Sequence, residues 1–120
     1  MHFQLVVYMN ETIKILISKE VSIFIKSLSR QAADKIYYNM HRVSLGEKNN
    51  ELFKKLENSE IWEFRTLYNK ISYRIFAFWD NDENALIVTT HGIIKKSNKT
   101  PKKDIEKAER SRLDYFNNKR

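Results

Sequence analysis

The chain is 120 residues long and carries 22 lysines and arginines against 15 acids, a formal net charge of +7. That length supports one domain that buries roughly 65% of its unfolded surface, with no second core. Two glycines, one proline and no cysteine exclude a Gly-rich phosphate loop, a disulfide framework and a thiolate metal site. With 42% hydrophobic residues, among them seven Phe, six Tyr and two Trp, the chain is too apolar to be a disordered basic tail. The charge is also local. Lys95 to Arg120 hold ten basic and four acidic residues, a balance of +6, which leaves twelve against eleven, or +1, for Met1 to Ile94. A basic segment on a folded body points to nucleic acid, a ribosome, an acidic partner chain or a membrane surface. The longest apolar runs, such as Leu5-Val6-Val7-Tyr8-Met9, fall far short of the roughly 20 residues that span a bilayer. The N-terminus also lacks the basic flank and apolar core of a signal peptide. The expectation is a cytoplasmic protein with no membrane partner.

Phe3 to Tyr8 and Thr12 to Ile17 are rich in β-branched and large apolar residues and are parted by Met9-Asn10-Glu11, which predicts a hairpin or one bent edge strand. Ser18 is placed to cap a helix over Lys19 to Leu28, with Val21, Ile25 and Leu28 at helical spacing and Phe24 beside them. Ser29 caps a second helix, Arg30 to Leu45, with Ala33, Ile36, Tyr37 and Met40 on one face and Gly46 as its stop. The two read as a helical hairpin. Glu47 to Asn58 is polar and reads as loop, with Leu52-Phe53 and Leu56 dipping into the core. Ile61 to Leu67, Ile71 to Trp79 and Ala85 to His91 follow as strands joined by turn-prone Tyr68-Asn69-Lys70 and Asp80-Asn81-Asp82-Glu83-Asn84, an antiparallel meander. Thr100 then caps a last helix, with Pro101 in its first turn, that runs to about Phe116 with Ile105, Ala108 and Arg112 on one face.

Alternation along a strand puts Trp62 and Phe64 on one face and Glu63 and Arg65 on the other. On the next strand Arg74 sides with Ser72, Phe76 and Phe78. On the third, His91 sides with Thr89 and Ile87, opposite Leu86, Val88 and Thr90. If the registers agree, Glu63, Arg65, Arg74 and His91 converge on one sheet face near Lys95 and Lys96, and the helical hairpin covers the other face. A face with two arginines, a histidine and lysines is costly unless it is solvated or filled by an anion, which suits phosphate. A plainer arrangement stands beside it: Arg65 pairs with Glu63 or Glu60, His91 is a hydrogen-bonded structural residue, and Lys95-Lys96-Lys99-Lys102-Lys103 is a solvated basic run. His2, His41 and His91 are scattered, the acids have no ligand spacing, and no Ser/His/Asp signature is present, so neither metal nor cofactor is expected.

The C-terminal half resembles the HigB-type toxins of the RelE/ParE superfamily, from bacterial and phage toxin-antitoxin modules. Ile61-Trp62-Glu63-Phe64-Arg65 is similar to that family's I-[WY]-E-[LI]-R strand, and Tyr73-Arg74-Ile75-Phe76 to its Y-R-I-[FL] strand. His91-Gly92-Ile93-Ile94-Lys95-Lys96-Ser97-Asn98-Lys99-Thr100-Pro101 is similar to its H-G-F-x-K-K-[ST]-x-K-T-P box, and Ile105-Glu106-Lys107-Ala108 continues it. The likeness spans about Leu52 to Tyr115, in order and at family spacing. Ile93-Ile94 replaces the aromatic common in the box, Ser97-Asn98 stands where Thr-Gln is usual, and strand-like Met1 to Glu11 lies outside the pattern.

The resemblance implies one α+β domain over residues 1–120: a RelE-like compact antiparallel sheet with a two-helix hairpin on one face and a C-terminal helix. It implies a ribosome-dependent, metal-independent mRNA endoribonuclease, held inactive by a cognate HigA-like helix-turn-helix antitoxin and meeting operator DNA only through the antitoxin complex. In that scheme the RNA 2′-hydroxyl attacks the adjacent phosphate, Arg65 and Arg74 bind it, and His91, Lys95 or Lys96 moves the proton. Lys99, Lys102 and Lys103 would track RNA phosphates, while Tyr115 or Phe116 seats the last helix. A ParE-like DNA gyrase inhibitor and a non-catalytic RNA-binding domain are the alternatives.

Overall fold

The computed structural model of the protein describes residues 3–6, 13–83 and 85–119, the first four by their backbone alone. The fold is α+β. Its elements are β1 (Phe3–Val6), β2 (Lys14–Ser18), α1 (Lys19–Lys26), α2 (Arg30–Ser44), β3 (Phe53–Lys55), β4 (Trp62–Tyr68), β5 (Ile71–Asp80), β6 (Leu86–Lys95) and α3 (Lys102–Asn118). The strands form one sheet in the order β1-β2-β6-β5-β4-β3. Every pair is antiparallel except β2 with β6, so the sheet is mixed rather than wholly antiparallel. The first two strands do pair as a hairpin, although its expected turn at Met9-Asn10-Glu11 lies outside the described residues.

The helical hairpin starts where its serines place it. Ser18 Oγ accepts from Val21 N at 3.1 Å, and Ser29 Oγ accepts from Ala32 N at 3.2 Å, each satisfying a backbone donor of the first turn. Ser18 also fastens the helix start to the sheet: its hydroxyl donates to Thr90 O and its amide to Thr89 Oγ1, both at 2.9 Å. At the far end, Gly46 takes φ 92°, and the Gly46 and Glu47 amides bond Val43 O and Arg42 O, a Schellman closure. The last helix differs from expectation. Its N-cap is Pro101, with no side-chain cap, because the Thr100 hydroxyl is turned away to Glu63.

Helices lie on both faces of the sheet. Val21, Ile25, Ala32, Ile36, Met40 and Val43 of the hairpin pack on Ile15, Ile17, Phe64, Ile75, Ala77 and Ile87. On the other face Ala108, Ile105, Tyr115 and Phe116 of α3 pack on Phe76, Phe78 and Val88. The strand β3 was hidden in a polar stretch because it is three residues long and only Phe53, stacked near Phe64 and Trp62, is buried.

Between β5 and β6 the register slips by one. Ile75 pairs with Gly92 and Ala77 with Thr89, so Thr90 and His91 together oppose Phe76. Because of this bulge His91 does not side with Ile87 and Thr89 as expected, although it keeps the expected sheet face of Glu63, Arg65 and Arg74. Before it, Leu86 and Val88 lie on the α3 face while Ile87 and Thr89 face the hairpin; after it, His91 and Ile93 lie on the α3 face and Gly92 turns to the hairpin. A Cβ at Gly92 would lie 2.6 Å from Phe24 Cε2 and 3.0 Å from its Cγ, so the whole ring would have to move. Gly92→Ala is therefore expected to cost about 1–3 kcal/mol by overpacking, seen as a lower urea midpoint with an unchanged m-value.

Candidate functional site

The bulge brings Lys95 to the sheet face on which alternation already places Lys54, Arg65 and Arg74. Arg65 of β4 stands directly opposite Arg74 of β5, Lys95 of β6 pairs with Ser72, and Lys54 of β3 pairs with Glu63. Like charges directly opposed across strands repel. Glu63 offsets this: its Oε2 lies 3.6 Å from Arg65 Nε and 3.5 Å from Arg74 Nε, and only 2% of the residue is exposed. Arg74 Nη1 donates to Tyr73 O and Arg65 Nη1 to Asn50 O, each at 3.1 Å. Burial pulls the Arg74 guanidinium below its ordinary pKa, opposed by Glu63 and abetted by Arg65. The Lys95 ammonium is also pulled down, first by burial and then by Arg74, with Arg65 and Lys54 adding and Glu63 opposing. The arrangement can bind a phosphate and offers it a lysine that sheds its proton more readily than a free one.

His91 is placed elsewhere. It is buried against Phe76, ring centroids 4.8 Å apart, and its Nε2 lies 3.1 Å from Asp104 Oδ1 of α3. An ionised carboxylate only accepts, so the ring proton sits on Nε2 and Nδ1 accepts from the Thr90 hydroxyl at 3.1 Å. Both nitrogens are engaged. Burial lowers its pKa, with the Asp104 bond opposing, and the other charges that act on it are Lys107 and Glu20. The ring clamps α3 to the sheet. The far end of that helix is held by Asp80, which accepts from Tyr115 Oη at 2.7 Å and Lys119 Nζ at 2.6 Å. Tyr115 thus seats the helix, and burial with the Asp80 bond pushes its pKa to about 12.

Lys96 and Lys99 are exposed beyond the end of β6, and Lys102 and Lys103 are exposed in the first turn of α3. Cations at a helix N-terminus oppose the macrodipole, at a cost of about 0.3–1 kcal/mol each. The resulting run is continuous in chain with Lys95. An apolar cleft of about 510 Å³ is walled by Phe53, Trp62 and Trp79 on the hairpin face, not by the cations. It touches the site only through Asn50, whose carbonyl holds Arg65. Among the described residues no cluster of three or more His, Asp or Glu is arranged to hold a metal. No described helix is long and apolar enough to cross a membrane.

A model of the family described as "Phage derived protein Gp49-like (DUF891)" matches residues 23–113, well over half of the chain. The chain belongs to the phage-derived Gp49-like family. That family is one of toxin-like proteins of toxin-antitoxin systems, and membership implies a cognate antitoxin partner. No curated protein matches the chain. The match runs from within α1 to within α3, so it takes in Arg65, Arg74, Lys95 and the basic run of this Gp49-like protein.

The sequence singles out Arg65, Arg74 and Lys95 but gives no role to Lys54 or Asp104, and it gives Thr100 only the role of a helix cap. Lys54 sat in the supposed loop; Asp104 could have been suspected only from its place in the first turn of α3. His91 supplies a pH prediction. Its folded pKa lies below the ordinary value of about 6.5, so below that pH the unfolded chain binds the proton that the folded chain resists. Stability should therefore be intact above about pH 6.5 and fall as the pH drops below it. Melting curves from pH 7.5 to 5 should show this slope in the wild type and a flatter one in His91→Gln.

Proposed function

We propose that this Gp49-like protein is an mRNA endoribonuclease that acts on the ribosome and is neutralised by its antitoxin. The observation that carries the reading is Lys95, a partly buried lysine with a depressed pKa on the same sheet face as buried Arg74 and half-buried Arg65. Neutral Lys95 takes the proton of the RNA 2′-hydroxyl. The 2′-oxygen forms a bond to the adjacent phosphorus, the bond from phosphorus to the 5′-oxygen breaks, and that oxygen takes a proton from solvent. The products are a 2′,3′-cyclic phosphate and a free 5′-hydroxyl. Arg65 and Arg74 hold the phosphate and stabilise the charge that grows on its oxygens, the largest contribution in reactions of this type.

Lys95 is favoured over His91 because both imidazole nitrogens are already bonded and the ring is buried. Lys96 stands at the exposed end of the strand and suits backbone contact. Lys99, Lys102 and Lys103 extend the positive surface along which messenger or ribosomal RNA would lie. A surface that merely gripped gyrase, or merely bound RNA, would have no use for a lysine of lowered pKa beside two arginines.

Primer extension on a translated messenger, after brief expression in bacteria and in a parallel reaction without ribosomes, tests the reading. Codon-phased cuts that need ribosomes are expected, and intact messenger would sink it. Arg74→Ala should remove about 3–4 kcal/mol of transition-state stabilisation, a loss of several hundredfold in rate. Lys95→Ala should lower the rate about 10² to 10⁴-fold. In the wild type the single-turnover rate should rise with pH and level off below the ordinary lysine value of about 10.4, a dependence that Lys95→Ala abolishes.

A further inference from the structure

We infer that Glu63 is a positioning residue for the cleavage reaction, the internal anion that sets the spacing of Arg65 and Arg74 and ties the basic loop before α3 to them. The inference rests on the nuclease reading above and adds a residue and a role to it.

The geometry is that of a shared counter-charge rather than of an ordinary ion pair. A charge-assisted N–H···O bond is about 2.7–2.9 Å long, yet Glu63 Oε2 stands 3.5 Å from one Nε and 3.6 Å from the other. Neither Nε, although buried, makes a hydrogen bond. The carboxylate is thus suspended between two guanidiniums and committed to neither. Nε of each arginine is turned toward Glu63 and Nη1 is held by a backbone carbonyl, so the carboxylate and the backbone together fix both guanidiniums. The other carboxylate oxygen, Oε1, accepts from Thr100 Oγ1 at 3.1 Å. That bond takes the hydroxyl that a helix N-cap would have used, and fixes the end of the Lys96 to Lys99 loop to the same group that spaces the arginines.

A single buried charge therefore governs three chain segments, and its influence on the two steps of the reaction has opposite signs. As an anion beside the phosphate it opposes binding; as a spacer it aligns the guanidiniums with the transition state. Removing the charge while keeping the shape should weaken catalysis without weakening binding.

Steady-state cleavage by wild type, Glu63→Gln and Glu63→Asp, each checked by melting temperature, tests this. For Glu63→Gln kcat is expected to fall about 100-fold, the scale of a misplacement near 1 Å, with KM unchanged or lower. Glu63→Asp, which keeps the charge on a shorter arm, should fall between the two. A wild-type kcat in Glu63→Gln, or a raised KM with kcat preserved, overturns the inference. If Glu63→Gln does not fold, Glu63→Asp decides alone: a wild-type kcat overturns the inference and a reduced kcat at wild-type KM supports it. Should the wild-type protein itself not cut RNA, the nuclease reading fails separately. Glu63 is then judged by titrating inorganic phosphate against the arginine Nε–H resonances. The expected result is binding tightened about tenfold in Glu63→Gln by loss of a like charge and by less in Glu63→Asp, and unchanged binding in the folded variant overturns it.

Discussion

Val88 and Lys95 lie seven residues apart on β6 and yet share the α3 face of the sheet, which strict alternation forbids. The bulge at Thr90 and His91 resolves the conflict by inserting one residue opposite Phe76. The rest of the molecule depends on that step. Upstream of it, Val88 joins Phe78 under α3 and Ile87 joins the hairpin core. Downstream, Lys95 is delivered to the face of Arg65 and Arg74, and Gly92 slips beneath Phe24 where no side chain would fit. A flat, regular strand could have satisfied the core or the cationic cluster, but not both.

The same insertion converts His91 from a free end of a motif into a clamp. Its ring reaches Asp104 across the gap between sheet and helix, and Asp80 holds Tyr115 and Lys119 at the other end of α3. The helix is thus pinned at both ends over an apolar middle, Ala108 and Ile105 against Phe76, Phe78 and Val88. It packs on Phe76, Phe78 and Val88, while Arg65 and Lys95 stay partly exposed. Lys102 and Lys103 stand in the first turn of that helix.

Like charges directly opposed across two strands persist only where something offsets their repulsion. Here the sheet register opposes Arg65 to Arg74, the Tyr73 and Asn50 carbonyls hold one amino group of each, and Glu63 lies between. Four cations, Lys54, Arg65, Arg74 and Lys95, meet the single buried carboxylate of Glu63, with exposed Glu51 acting on Arg74 from farther off. The imbalance leaves room for an anion. On the proposed nuclease reading, that anion is a phosphate of the messenger.

The sequence by itself determined what is local. Ser18 and Ser29 start helices because a hydroxyl oxygen satisfies the orphan amides of a first turn, and Gly46 ends one because it alone accepts a positive φ cheaply. Tyr68-Asn69-Lys70 made a hairpin, with Asn69 and Lys70 both at positive φ, and alternation placed Glu63, Arg65 and Arg74 on one face. Only the tertiary structure decided what depends on a partner strand or helix. It slipped the register at Phe76, paired β2 parallel to β6, enlisted the three residues of β3, and took the Thr100 hydroxyl from a cap to a carboxylate. Alternation counts residues along one chain, whereas a bulge, a sheet neighbour or a buried counter-charge is set by how several segments share one core.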